Sequence, residues 1–152
     1  MLIRTHLVIT ALFVLIFLSS VQNKIVFVIV TLIAAVLPDI DSDSSIIGKR
    51  KIFRPIQFLF GHRGFLHSFT FLLLFTFFFV LFITVIAFPL FLGYSLHLFA
   101  DSFTIQGIRP FYPLRKTYAG KFKTGGKIDL MLFISVLIID LFVLSTKVLN
   151  IF

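Results

Sequence analysis

The sequence predicts an all-α, polytopic membrane helix bundle of about five helices, folded as a single domain over residues 1–152. Three observations predict it. Hydrophobic residues make up 59% of the chain and charged residues 13%, with a mean hydropathy of +1.12, a balance far from that of water-soluble domains. The 23 Phe residues and long apolar runs such as 69–92 exceed what the interior of so small a domain can enclose, so lipid has to supply the apolar surroundings. The polar residues gather between the apolar runs, in segments rich in Gly, Pro, Ser, Lys and Arg.

Apolar runs at 7–21, 25–37, 65–88, 90–100 and 128–152 define the five expected helices. The first two run for about 14 residues each, roughly 21 Å of helix against a hydrocarbon layer of about 30 Å. They are expected to form a shallow hairpin around Gln22, Asn23 and Lys24. The third run is long enough to span. Pro89 and Gly93 are expected to turn or kink the chain ahead of a short fourth helix. Arg4 before an apolar stretch ending in Leu18, Ser19 and Ser20 also allows a secretory-signal reading. The missing small-x-small cleavage pattern, and the loss of His6 that cleavage would entail, argue against it.

An up-and-down path from Arg4 returns the segments 39–63 and 101–127 to one membrane face. All 14 basic residues except Lys24 and Lys147 then fall on that face. The positive-inside rule makes it cytoplasmic, giving a multi-pass membrane protein with its N-terminus in the cytoplasm. The net charge of +8 is thereby explained without nucleic acid. The loop 106–127 does interleave Arg109, Arg115, Lys116, Lys121, Lys123 and Lys127 with Phe111, Tyr112, Tyr118 and Phe122. That pattern can bind single strands, but anionic lipid head groups account for it equally, so the expected partners are membrane lipids.

Composition narrows the chemistry. Cysteine is absent, which excludes disulfides, thiolate metal sites and cysteine nucleophiles. With no Glu and no Trp, acid–base work falls to six Asp, four His, three Tyr or the basic residues. No phosphate loop, dinucleotide fingerprint or serine elbow is present.

All four histidines lie at the expected cytoplasmic helix ends or in the turns joining them, together with Asp39, Asp41, Asp43 and Asp101. His6 opens helix 1, Asp39 and Asp41 close helix 2, His62 and His67 flank the start of helix 3, and His97 and Asp101 sit near the end of helix 4. His97 and Asp101 are four apart and share a helix face, so they can hold one ion or simply hydrogen-bond at a helix end. His67, expected in the first turn of helix 3, feels the positive end of the helix dipole, which keeps its ring neutral as a metal ligand must be. A calcium loop starting at Asp39 fails, because its glycine position is Ser44 and its bidentate glutamate position is Arg50. Asp140 lies inside helix 5, where a carboxylate costs about 2.5–3.5 kcal/mol unless protonated or paired. It is either a hydrogen-bonding group between helices or part of a proton path.

The ordered set Thr5-His6, Pro38-Asp39-Ile40-Asp41, His62-Arg63-Gly64-Phe65-Leu66-His67-Ser68, Ser95-Leu96-His97 and Asp101, followed by Thr104, Gly107 and Pro113, resembles the YdjM-like family. That family is described as LexA-binding, inner-membrane-associated, metal-dependent hydrolases, and the match covers about residues 5–113. Nothing in these residues points to LexA. The family looks distantly similar to zinc-dependent phospholipase C and the single-strand-specific fungal nucleases. The resemblance implies phosphoester hydrolysis, with His6, Asp39, His67, His97 and Asp101 at the matching metal-ligand positions and Asp41 and His62 as ligands or neighbours of ligands. The chain is much shorter than those enzymes, which favours one or two ions over three.

The expected function is therefore a membrane-bound metal-dependent hydrolase acting on a lipid or lipid-linked phosphate. Zinc is the favoured ion, with manganese or iron compatible with the same borderline ligands. Asp41 or His62 orients the water, and Arg63 with the loop cations neutralises substrate charge. Two other readings stay open: an ion transporter or metal-binding protein without turnover, and a structural membrane partner whose polar residues merely pair.

Overall fold

The computed structural model describes residues 1–41, Arg54 and 64–149, and five α-helices lie among them. These are α1 (Ile3–Phe17), α2 (Lys24–Ala34), α3 (Phe69–Phe82), α4 (Thr84–Ser102) and α5 (Lys127–Leu149). The described residues form no strand, and two isolated bridges, Thr104 with Phe122 and Ile108 with Tyr118, tie the loop between α4 and α5 to itself. The all-helical class expected from the apolar periodicity is thus observed.

The distribution of lengths is not. The break between the third and fourth helices falls at Ile83, which leaves helical geometry (φ −147°, ψ 71°) at the head of the β-branched run Ile83-Thr84-Val85-Ile86. Pro89 instead lies inside α4, where it removes one backbone hydrogen bond near the helix start rather than ending the helix. Helix α3 is consequently short at 14 residues and α4 long at 19, the reverse of the expected order. Helices α4 and α5 are long and apolar enough to cross a membrane, whereas α1, α2 and α3 fall short of that length.

Gly93 also has a different role from the one expected. It does not turn the chain; it lets α2 approach α4. A Cβ there would run into the Thr31 carbonyl oxygen and lie 3.0 Å from both Ala34 Cβ and Ala35 N. Close helix contact through a small residue suits a bilayer, where apolar side chains gain little by leaving lipid for one another.

Helix α4 is the centre of the bundle, packing on α1, α2, α3 and the 3-10 turn, while α5 packs on α1. The core lies among Ala34, Leu72, Leu90, Tyr94, Leu98 and Ile108. The outer surface stays apolar, with Leu74, Phe78 and Leu81 on α3 and Met131, Ile138 and Phe142 on α5 all exposed, a surface that water would penalise and lipid would not.

Candidate metal centre

Helix α2 ends at Ala34, one turn earlier than expected, and the chain continues as a 3-10 helix over Leu37–Asp41. Pro38 supplies the reason, since it lacks an N–H and disfavours helical geometry in the residue before it. Asp39 therefore projects from a separate short turn rather than from α2. His6 sits in the first turns of α1. His67 precedes α3, just before the N-cap Ser68, whose side chain accepts from Phe71 N at 3.1 Å.

That approach to α3 is fixed from two other directions. Tyr94 Oη donates to the Leu66 carbonyl at 2.6 Å, and the N–H groups of Phe69 and Thr70 donate to the Pro110 carbonyl at 2.9 and 3.3 Å. The α1 side is fixed by Asp129. Its carboxylate accepts from Thr5 Oγ1 at 2.7 Å, Gly125 N at 2.7 Å and Leu2 N at 3.2 Å, which ties the start of α1 to the start of α5. Asp129→Asn keeps the shape but removes the charge and one acceptor. It is expected to lower stability by about 1–2 kcal/mol, read by thermal unfolding in detergent; an unchanged midpoint would mean that this latch contributes nothing.

With these supports, His6, Asp39, His67, His97 and Asp101 meet in one buried cluster. The donor atoms of His6, His97 and Asp101 lie within 4.8 Å of one another, as do those of Asp39, His67 and His97. Asp101 faces both groups. Its Oδ1 is 3.3 Å from His6 Nε2, and its Oδ2 is 3.9 Å from both His67 Nε2 and His97 Nε2. His97 Nε2 is also 3.9 Å from Asp39 Oδ1, and the His6 and His97 rings stack at 4.0 Å.

His97 Nδ1 lies 2.7 Å from the Ala35 carbonyl. A carbonyl oxygen accepts only from a protonated Nδ1, so in the neutral ring Nε2 carries the lone pair and faces both carboxylates. Buried among them, Nε2 has no hydrogen-bond partner among the described residues, and the same is true of His6 Nδ1. A buried imidazole lone pair aimed at carboxylates, with its other nitrogen tied to a backbone carbonyl, is the arrangement by which proteins orient a metal ligand. The spacing is close. Ligands at about 2.0–2.2 Å in tetrahedral array stand roughly 3.3–3.6 Å apart; the His–Asp separations here are 3.3 and 3.9 Å, and the donors of each group lie within 4.8 Å, so a bound ion would draw them inward. Burial raises the Asp39 carboxyl above its ordinary value, against the pull of the His6 and His67 imidazoles, so protons compete with a cation for this oxygen.

Of the remaining predicted site residues, Asp41 ends the 3-10 helix, and its side chain lies outside the described residues, as do His62 and Arg63. Sequence reasoning missed Asp129, Tyr94 and Ala35. The only signal for Asp129 was an acid three residues after the Gly125-Gly126 pair, which marks a helix start but names no partner.

The profile of the family described as "YdjM inner membrane protein" matches residues 1–150. The chain belongs to that family. Two curated YdjM relatives match, the inner membrane protein YdjM of Escherichia coli (strain K12) and that of Shigella flexneri. Each is 40% identical over 93 residues, which cover 55% of this chain and 47% of the relative, so the chain spans about half the length of the curated relatives it matches. No solved structure matches. The resemblance read from the His and Asp motifs is borne out, as is membrane residence, which rests on the YdjM name and the two candidate spans.

Proposed function

We propose that this chain is a membrane-bound, metal-dependent hydrolase that cleaves a phosphoester on a lipid or lipid-linked phosphate at the cytoplasmic membrane face. The observation that carries the reading is the fixed tautomer of His97, whose Nε2 lone pair faces Asp39 and Asp101 at 3.9 Å each. His6, Asp39, His67, His97 and Asp101 would supply the ligands, in two triads that share His97, His6–His97–Asp101 and Asp39–His67–His97, either of which leaves a fourth position for water. Zinc is favoured, because imidazole and carboxylate at this spacing suit a tetrahedral borderline cation. A bound ion of this kind lowers the pKa of coordinated water to about 7 and polarises a phosphoryl oxygen.

The chain's own residues do the rest. Asp101 presents one oxygen to each ligand group and so keeps negative charge centred among three imidazoles. Asp41 or His62 orients the attacking water and takes its proton. Arg63 and the lysines of the α4–α5 loop neutralise the phosphate. The cytoplasmic placement draws on the basic residues, nearly all of which share one face in a multi-pass path.

Protein purified in detergent without a histidine tag is expected to carry about one or two zinc-like ions per chain by elemental mass spectrometry. A chelator such as phenanthroline should abolish phosphoester turnover and added zinc should restore it. Folded protein that stays metal-free after incubation with zinc or manganese would end this reading. A second reading, ion binding or conduction without turnover, draws on Asp140, which is buried within α5 with Oδ1 unpartnered among the described residues. Metal flux into proteoliposomes that disappears in Asp140→Asn would favour it, and hydrolysis indifferent to that change would favour the enzyme.

A further inference from the structure

A groove of about 330 Å³ runs between α1, α4 and α5, and every residue lining it is apolar, among them Ile9, Leu96, Phe99, Phe122 and Leu132. We propose that this groove is the slot for an acyl chain of an anionic phospholipid whose phosphate lies at the metal centre. The proposal rests on the phosphoester reading above and names the apolar half of its substrate.

Position is the first support. Met1 and Ala100 also line the groove, and both adjoin the metal centre: Ala100 precedes Asp101 in the chain, and the Met1 main-chain nitrogen contacts the Asp101 carboxylate. Depth is the second. The lining takes in Met1, ahead of α1, and Ile9 and Phe13 further along it, and the helix from Ile3 to Phe13 covers about 15 Å of axis, so the groove leads from the polar end of the bundle into its apolar length. Both candidate spans line the groove, so in a bilayer its opening meets lipid chains. Charge is the third. Phe122 in the lining is flanked by Lys121 and Lys123, both exposed, where they can meet an anionic head group. Cations and metal ligands at one end, with a hydrocarbon slot leading away, match the two halves of a phospholipid.

A second apolar groove, about 480 Å³ between α1 and α2, is lined by Leu7, Leu32 and Ile33 and reaches Ile40. Ile40 sits beside Asp39, so this groove also reaches the metal centre, but α1 and α2 are both shorter than a membrane span, whereas both candidate spans line the first groove.

The test is photolabelling of the full chain in neutral detergent, using phosphatidic acid with a diazirine midway along one acyl chain and mapping adducts by mass spectrometry. Adducts are expected on Ile9, Leu96, Phe99 and Leu132. Excess dioleoyl phosphatidic acid should suppress them, and dioleoylglycerol, which lacks the phosphate, should not. Filling the groove with Ile9→Trp and Leu132→Trp should reduce labelling of the other positions roughly tenfold, equivalent to about 1.4 kcal/mol of lost binding. Adducts on Leu7 and Leu32, or spread over the exposed α3 face, would overturn the proposal, and so would equal competition by dioleoylglycerol. If the tryptophan variant does not fold, the wild-type adduct map decides alone. Labelling needs no turnover, so groove adducts without hydrolysis of any phosphoester would keep the slot and reject the hydrolase. Hydrolysis with adducts elsewhere would do the reverse.

Discussion

His97→Ala is expected to strip the protein of bound metal. His97 belongs to both groups of donors that can hold an ion, and its Nδ1 is spent on the Ala35 carbonyl, so no other nitrogen on this side chain can substitute. Losing only the hydrogen-bond partner of a ligand typically lowers metal affinity about 10–100-fold; losing the ligand itself should exceed that. Elemental analysis of detergent-purified His97→Ala is expected to show less than a tenth of the wild-type occupancy, with Asp101→Ala close behind because its two oxygens face both groups. His97→Gln tests geometry against polarity: it keeps a polar atom in the buried space but not the imidazole, and should stay folded yet metal-poor. Wild-type metal content in His97→Ala would remove the site from this part of the bundle.

Gly93 substitutions should give the largest loss of stability. The atoms that an added Cβ meets are mainly the backbone of α2 at Thr31 and Ala35, which cannot rotate away as a side-chain end would. Gly93→Ala is expected to cost about 1–3 kcal/mol, and Gly93→Leu more than about 3 kcal/mol, as overpacking does where the backbone has to move. In a chain of this length Gly93→Ala should lower the unfolding midpoint by roughly 3–10 °C. It carries a chemical consequence as well. Gly93 and His97 are one turn apart on α4, and Thr31 on α2 lies one turn before Ala35, the residue that caps it, so a wedge at the first pair opens the second. The 2.7 Å contact that fixes His97 lengthens, and metal affinity should fall together with stability. A Gly93→Ala protein with wild-type midpoint and wild-type metal content would show that α2 is not held by this contact.

The buried His and Asp cluster was legible because a bilayer makes such residues conspicuous. Against a background this apolar, His6, Asp39, His67, His97 and Asp101 are polar groups without an evident solvent, and a helical path returns them to one end. The i, i+4 spacing of His97 and Asp101 needed only the helix period. Other features were not legible, for physical reasons. Pro89 and Gly93 read as a turn because local propensity is blind to context. Inside a membrane protein a proline costs one backbone bond that neighbours can compensate, and a glycine serves as a place for another helix to approach. The true break at Ile83 has no stronger local signal than a β-branched run. Asp129 was missed because two of its three donors, Leu2 and Thr5, lie more than a hundred residues away, and such pairings leave no periodicity to read.

The donors come from four separate segments: α1, the 3-10 turn, the approach to α3, and α4. An ion held by them joins His6 to Asp101, and Asp39 and His67 to His97, closing loops across most of the chain. In a protein without cysteine, such an ion is a reversible cross-link, and it constrains the unfolded chain as a disulfide would. Free metal at 100 times its dissociation constant adds about 2.7 kcal/mol to stability. With an ion in place, the endurance of this protein would follow the supply of metal around it, and starvation for the ion would loosen the bundle.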